Sequence, residues 1–304
     1  MTELGEPGQF SAYMVEEAAR VELALERAVE RLDSSLKADV AAAVRHGVMG
    51  GGKRLRPILC VSAYGACGGS RTEGAYDLGA SLEMIHAYSL MHDDLPCMDD
   101  AELRRGRPTT HRTHGEAITI RAGAVLIPAA ALQALYACRH LGCGPEQTRA
   151  VVQELMSAAG AGGMVGGQWL DLLGEGRSLG AAELDGLHRR KTGALLAASL
   201  TMGALAAGAE DRVAEALQSY GRAVGLAFQI ADDILDATES AATLGKNPSD
   251  ADLGKSTYVS LYGLDEAKRR AAEQVARALD ELGRSGVDAP HLEALARYVV
   301  AREK

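Results

Sequence analysis

Aromatic residues are scarce in this 304-residue chain, which has one tryptophan, two phenylalanines and 4% aromatics in all. Sheets draw on aromatic and β-branched side chains, so the scarcity argues against a β-rich fold. Alanine and leucine are abundant instead and favour closely packed helices. The five cysteines, Cys60, Cys67, Cys97, Cys138 and Cys143, show no CxxC and no paired spacing. They read as reduced packing residues of a cytoplasmic protein. An excess of positive charge is also missing. Lysine and arginine number 32 against 41 acids, a net −9, which argues against a general nucleic-acid binder. The stretch MTELGEPGQF has neither a basic nor an apolar signal region, so no signal peptide is expected. The most apolar run, residues 122–138, contains Pro128 and Gln133. It is marginal for a membrane span and reads as a buried helix, so no span is expected. With 47% apolar residues and no linker or low-complexity tract, one domain over residues 1–304 is expected.

What is present is organised around residues 81–114, SLEMIHAYSLMHDDLPCMDDAELRRGRPTTHRTH. Its first half has helical periodicity, and the helix should stop at Asp94 or Leu95, because the residue before a proline is pushed out of the α region. Asp93 and Asp94 then fall in a last turn, where the helix dipole favours cations. Asp99, Asp100, Arg104, Arg105 and Arg107 follow closely. Acids gathered at an acid-repelling helix end suggest a bound cation, and hard oxygen donors suit Mg²⁺ held with substrate phosphates. Solvated charge on a surface turn is the ordinary alternative. The arginines are of the bidentate phosphate-binding kind.

Upstream, residues 11–46 read as two amphipathic helices, with Val21, Leu25, Ala28, Val29 and Leu32 forming a stripe on the first. HGVMGGGKRLRP follows. Gly50, Gly51 and Gly52 free the backbone, Lys53, Arg54 and Arg56 supply charge, and Pro57 suits a first helical turn. This is either an anion site or a basic helix cap; it is not a P-loop. Residues 116–141 and 145–160 read as helices. GGMVGGQWLD places Gln168 and Asp171 on one face, open to a structural or a site role. A helix is expected over residues 181–207, where Lys191 and Thr192 interrupt an apolar stretch; the lysine either snorkels to water or faces a ligand.

A long helix is expected from Asp211 to Asp236. Asp232, Asp233 and Asp236 sit in its apolar run, with Gln229 one turn before Asp233. Unpaired buried carboxylates cost several kcal/mol each, so a metal is again the simplest explanation. A polar loop with Lys246 and Lys255 follows, either closing over an anion or simply solvated. Helices over residues 264–284 and 290–303 finish the chain. Two distant acidic segments with basic loops between them suggest one pocket in a helical bundle, its carboxylates bridged to a diphosphate through metal.

The motifs GGGKRLRP, HDDLPCMDDAELRRGRPTTH, GGQWLD, KTG, FQIADDILD and LGKSTY run in this order over nearly the whole chain. In them the sequence resembles the trans-isoprenyl diphosphate synthases, or polyprenyl synthetases, most nearly the bacterial farnesyl and geranylgeranyl diphosphate synthases. The resemblance implies an all-α, single-domain isoprenoid-synthase-type bundle with a central metal-lined cavity. It implies a Mg²⁺-dependent prenyltransferase that condenses isopentenyl diphosphate with allylic diphosphates and releases diphosphate. About three Mg²⁺ ions are implied, on Asp93, Asp94, Asp99, Asp232, Asp233 and Asp236. Arg104, Lys191, Lys246 and Lys255 would touch the allylic diphosphate. Lys53, Arg56, His86 and Arg105 would bind isopentenyl diphosphate. Thr192 and Gln229 would offer dipoles to the developing cation. A homodimer is implied as well.

Tyr88 lies five residues before Asp93, roughly 7.5 Å of helix rise. An aromatic there resembles the cavity floor of bacterial farnesyl diphosphate synthases, so a fifteen-carbon product is expected, with geranylgeranyl diphosphate as the alternative. A terpene cyclase would not need GGGKRLRP, and a helical regulatory subunit of a prenyltransferase would be expected to have lost ligands that are all present here. The preferred primer and the roles of Gln168, Asp171, Arg302 and Lys304 stay open.

Overall fold

The computed structural model describes residues 7–238 and 256–301. Among them the chain is a bundle of helices with one small hairpin. Helix α1 spans Pro7–Asp33, α2 Ala38–Val48, α3 Leu55–Ala66 and α4 Glu73–Asp93. Strands β1 (Leu103–Arg104) and β2 (Arg107–Pro108) precede α5 (Thr110–His114), α6 (Glu116–His140), α7 (Pro145–Ala159) and α8 (Met164–Gly174). Then come α9 (Ala181–His188), a π turn over Arg189–Gly193, α10 (Ala194–Ala206) and α11 (Asp211–Thr238). Finally α12 spans Tyr258–Tyr262, α13 Leu264–Ser285 and α14 Pro290–Ala301.

Two helices form the centre. In α4 every residue from Gly74 to Ile85 is buried, as expected of a helix covered on all sides. It packs against α3, α6, α1 and α2. Contact with α3 is close because position 79 is glycine: a Cβ there would lie 3.0 Å from Cα of Pro57. Similarly buried is α10, which packs on α3, α7 and α11. A second core joins α11, α13 and α14 to α3 and α10 through Leu59, Leu200, Tyr220 and Leu292. The expected stripe on α1 is buried at Val21, Leu25, Ala28 and Val29.

Three places differ from the sequence expectations. The helix expected over residues 181–207 is broken by the π turn. There Gly193 lies against α11, whose Gly225 could not carry a Cβ without coming 2.9 Å from Cα of Gly193. The hairpin after the first acidic motif was not anticipated. Leu103 pairs with Pro108 and Arg104 with Arg107, and Arg105 and Gly106 both have positive φ, 53° and 73°. That is the pattern of a type I′ turn, whose twist matches the strands it joins. Third, the apolar run in α6 is not buried all round. One face packs on α4, and there Gln133 donates to the Asp77 carbonyl at 2.9 Å and accepts from Arg31 at 2.8 Å. The other face exposes Ile120, Ala124, Pro128 and Leu132. Helix α6 is long and apolar enough to cross a membrane, and 44% of its most apolar window is buried within the bundle.

Candidate active site

Helix α4 ends at Asp93, and the following loop folds back over its C-terminus. The Asp99 N–H donates to the Asp93 carbonyl at 2.9 Å, and the Ala101 N–H to that of Asp94 at 3.2 Å. These bonds cap carbonyls that the helix leaves unsatisfied, and they bring Asp99 against Asp93. The Asp93 carboxyl is consequently pushed up to about 6: burial raises it, Lys191 and Arg104 pull it down, and Asp99 and Asp94 raise it further. Asp94 and Arg104, expected on metal and diphosphate respectively, are bound to each other. Arg104 Nε donates to Oδ1 and Oδ2 of Asp94 at 2.8 and 3.0 Å, and Nη2 donates to Oδ1 at 2.5 Å. Asp94 is buried, so this forked pair sets the distance between the hairpin and the end of α4.

The glycine loop is sorted by the structure into two kinds of cation. Arg54 is buried with left-handed backbone, φ 49°. Its guanidinium donates to Glu22 at 2.7 Å, to Glu83 at 2.7 Å and to the Val48 carbonyl at 2.9 Å. Burial lowers its pKa, but the two carboxylates more than offset this. Arg54 therefore ties α1, α4 and the loop together and leaves the candidate anion set. Arg56, His86 and Arg105 remain. Burial, then Arg56, Arg105 and Arg104, hold the His86 imidazole well below its usual range. Burial likewise lowers Arg56 and Arg105. Arg105 reaches the Gly51 carbonyl over Gly52, where any Cβ would fall 2.5 Å from its guanidinium. Cations crowded until they depress one another suit an anionic guest. Lys53, expected with them, is exposed and lines a separate hollow with Phe228 and Tyr298.

The π turn is the junction of the site. Lys191 forms a charged hydrogen bond with Asp171 of α8. Next to it, the Thr192 hydroxyl donates to Oε1 of Gln229 on α11. Helix α8 sits directly on this turn, since a Cβ on Gly167 would lie 2.2 Å from the Lys191 backbone nitrogen. The role that the sequence left open for Asp171 is thus to hold Lys191.

Around these groups lies a cavity of about 420 Å³, lined by the polar Arg56, His86, Asp93, Lys191 and Thr192, by Tyr88 and Ser89, and by the apolar Leu95, Met98, Val165, Trp169 and Leu172. That is the size of cavity that holds small ligands. Arg56 Nε, His86 Nδ1 and Gln168 Oε1 all line it and, though buried, have no protein hydrogen-bond partner. Buried polar atoms are rarely left so, and three in one cavity indicate that a polar guest completes them. Tyr88 is held by His92, whose ring meets it edge-on at 4.9 Å. His92 Nε2 also lies 3.3 Å from the Ile120 carbonyl, in space that exists because residue 123 is glycine.

The second acidic segment lies at the end of α11. Asp232 follows Gln229 by three residues, so the bond from Thr192 ties this segment to the turn whose Lys191 acts on Asp93. Asp233 differs from its neighbours. It is buried, and its Oδ2 accepts the Tyr258 N–H at 2.7 Å, anchoring α12. Lys246 and Lys255 lie outside the described residues, as do Arg302 and Lys304. Among the described residues no three acid, histidine or cysteine side chains converge into a preformed metal cage. The donors present still fit Mg²⁺, which takes one or two carboxylates and completes its shell with waters and substrate phosphates. The donor chemistry is the matching observation: the loop that folds back over the end of α4 brings the carboxylate of Asp99 to that of Asp93.

Comparison with known proteins gives concordant results. The family model described as polyprenyl synthetase matches residues 37–291. The chain is 41% identical over 299 residues to geranylgeranyl pyrophosphate synthase 11, chloroplastic, of Arabidopsis thaliana, covering 96% of this chain and 82% of that protein. It is 44% identical over 270 residues to farnesyl diphosphate synthase of Escherichia coli (strain K12), covering 87% and 90%. Among solved structures, a Helicobacter pylori geranyltransferase complexed with magnesium and isoprenyl diphosphate superposes with a TM-score of 0.77 at 30% identity, covering 93% of this chain and 96% of that one.

Proposed function

The chain belongs to the polyprenyl synthetase family, as a short-chain prenyltransferase of the farnesyl or geranylgeranyl diphosphate synthase type, and from that premise we propose that it condenses isopentenyl diphosphate with dimethylallyl and geranyl diphosphates to make farnesyl diphosphate. One observation carries the reading. A single cavity brings together orphaned polar atoms at Arg56 and His86, a carboxylate and a lysine at Asp93 and Lys191, and apolar walls. Diphosphates fit the polar groups and a hydrocarbon chain fits the apolar walls.

Asp93 and Asp99 from one side, and Asp232 and Asp236 from the other, would hold Mg²⁺, which when bound neutralises charge on the leaving diphosphate. The chain's own residues do the remaining work. Arg56, His86 and Arg105 seat isopentenyl diphosphate. Lys191, positioned by Asp171, meets the allylic diphosphate, with Lys246 and Lys255 as further candidates. The oxygens of Thr192 and Gln229, joined by their hydrogen bond, present fixed dipoles to the allylic carbon as its C–O bond breaks. The apolar walls exclude water from the carbocation, and the double bond of isopentenyl diphosphate, held alongside, attacks it. The proton is then lost to the departing diphosphate.

Tyr88, braced by His92, supports the fifteen-carbon product as the floor of the tail pocket. Geranylgeranyl diphosphate is the second reading, favoured by the small Ser89 beside Tyr88 and by the identity to the Arabidopsis enzyme. We also read the exposed stripe Ile120, Ala124, Pro128 and Leu132 on α6 as a homodimer face. The test is to incubate the protein with Mg²⁺, dimethylallyl diphosphate and isopentenyl diphosphate and to chromatograph the products. Farnesyl diphosphate is expected, with longer chains from Tyr88→Ala. An unchanged product from Tyr88→Ala would remove Tyr88 as the floor, and absence of condensation would overturn the reaction.

A further inference from the structure

We propose that Trp169 covers the hydrocarbon tail of the allylic diphosphate and so sets the affinity for that substrate, an inference that rests on the reaction proposed above. Trp169 is the only tryptophan of the chain. It lines the cavity, yet 61% of its surface is exposed. An indole kept in water beside an apolar cavity gains by closing on an apolar guest, at about 25 cal/mol per Å² covered.

Helix α8 carries two functions on two faces. Gly167 and Asp171, four residues apart, meet the π turn: Gly167 presses on the Lys191 backbone, and Asp171 holds the Lys191 ammonium. Val165 and Trp169, also four apart, face the cavity. The first pair fixes how far α8 stands from the π turn, and with it the stretch of cavity wall that Val165 and Trp169 supply. Tyr88 and Ser89 of α4 line the same cavity. Tyr88 acts as the floor, while the exposed Trp169 acts as a side wall.

A single tryptophan makes the proposal readable by intrinsic fluorescence. With Mg²⁺ present and no isopentenyl diphosphate, farnesyl diphosphate should shift the emission to the blue in a saturable manner, because the indole leaves water. Inorganic diphosphate and isopentenyl diphosphate should leave the emission where it was. By calorimetry, Trp169→Ala should weaken farnesyl diphosphate about tenfold, about 1.4 kcal/mol, with inorganic diphosphate binding unmoved, and Trp169→Phe should recover most of the loss. An equal blue shift with inorganic diphosphate overturns the proposal, since the ring would then report loop closure and not the tail. Condensation and calorimetric binding of farnesyl diphosphate without a blue shift also overturn it, while leaving the reaction standing. A protein that neither condenses the substrates nor binds any diphosphate would overturn the reaction and this assignment together.

Discussion

Arg54 is a structural residue in a loop whose Arg56 lines the cavity. Its guanidinium bridges Glu22 and the buried Glu83. Replacing one partner of a buried pair costs about 3–5 kcal/mol, because the other charge is left uncompensated. Arg54→Met is therefore expected to destabilise the protein by about that amount, measured as a lowered urea midpoint. Stability within 1 kcal/mol, roughly, of the parent would show that Glu83 finds another partner. The contrast with Arg56 is instructive. Two residues away, its Nε has no protein partner, and Glu83 offsets its burial only in part.

At the scale of elements, the π turn between α9 and α10 does what a continuous helix could not. It aims adjacent residues, Lys191 and Thr192, at two different helices, α8 and α11, and π turns recur at functional sites for such reasons. Gly167→Ala tests the contact that seats α8 on this turn. The new Cβ would meet backbone, so α8 must retreat and carry Asp171 with it. Misplacement of about 1 Å costs on the order of a hundredfold in rate, so kcat/KM for condensation should fall to that extent while the helical circular dichroism persists. A near-normal kcat/KM would show that Lys191 does not depend on α8. The same junction has a pH signature. His188, at the end of α9, stacks on Tyr258 at 5.6 Å, and burial pulls its imidazole down to about 4. The unfolded chain then binds a proton below about 6.5 that the folded chain refuses until about 4. Stability from this group is complete above the unfolded value and is lost as pH falls through that window. The thermal midpoint of the parent should drop between pH 7 and 4.5 by more than that of His188→Phe, and parallel drops would remove His188 as the cause.

For the whole molecule, the central helices α4 and α10 place the chemistry at one end of a bundle, and α6 leaves an apolar face outward. Ile120, Ala124, Pro128 and Leu132 recur on that face at helical spacing, and apolar stripes of this kind mark association surfaces. Leu132→Glu is expected to yield a monomer on size-exclusion chromatography with light scattering, against a dimer for the parent. A parent that is itself monomeric would refute the face as an interface. Because α6 also supplies the Gly123 space and the Ile120 carbonyl that hold His92, its outer face lies close behind the wall that carries Tyr88.

Much of this was legible in one dimension because it is periodic or local. The buried stripe of α1, the stop of α4 at Asp93 shortly before Pro96, the long α11 and the ordered motifs follow from helical spacing, from proline and from charged residue types, which act over a few neighbours. Pairing decisions are of another kind. That Arg54 is a clamp while Arg56 lines the cavity, that Asp94 is taken by Arg104 and Asp233 by Tyr258, that residues 189–193 form a π turn and that Trp169 stands exposed on the cavity wall all depend on side chains distant in sequence. Only the folded bundle decides these, because the energy of a buried charge or an exposed ring is set by what packing brings opposite it, and no local pattern records that.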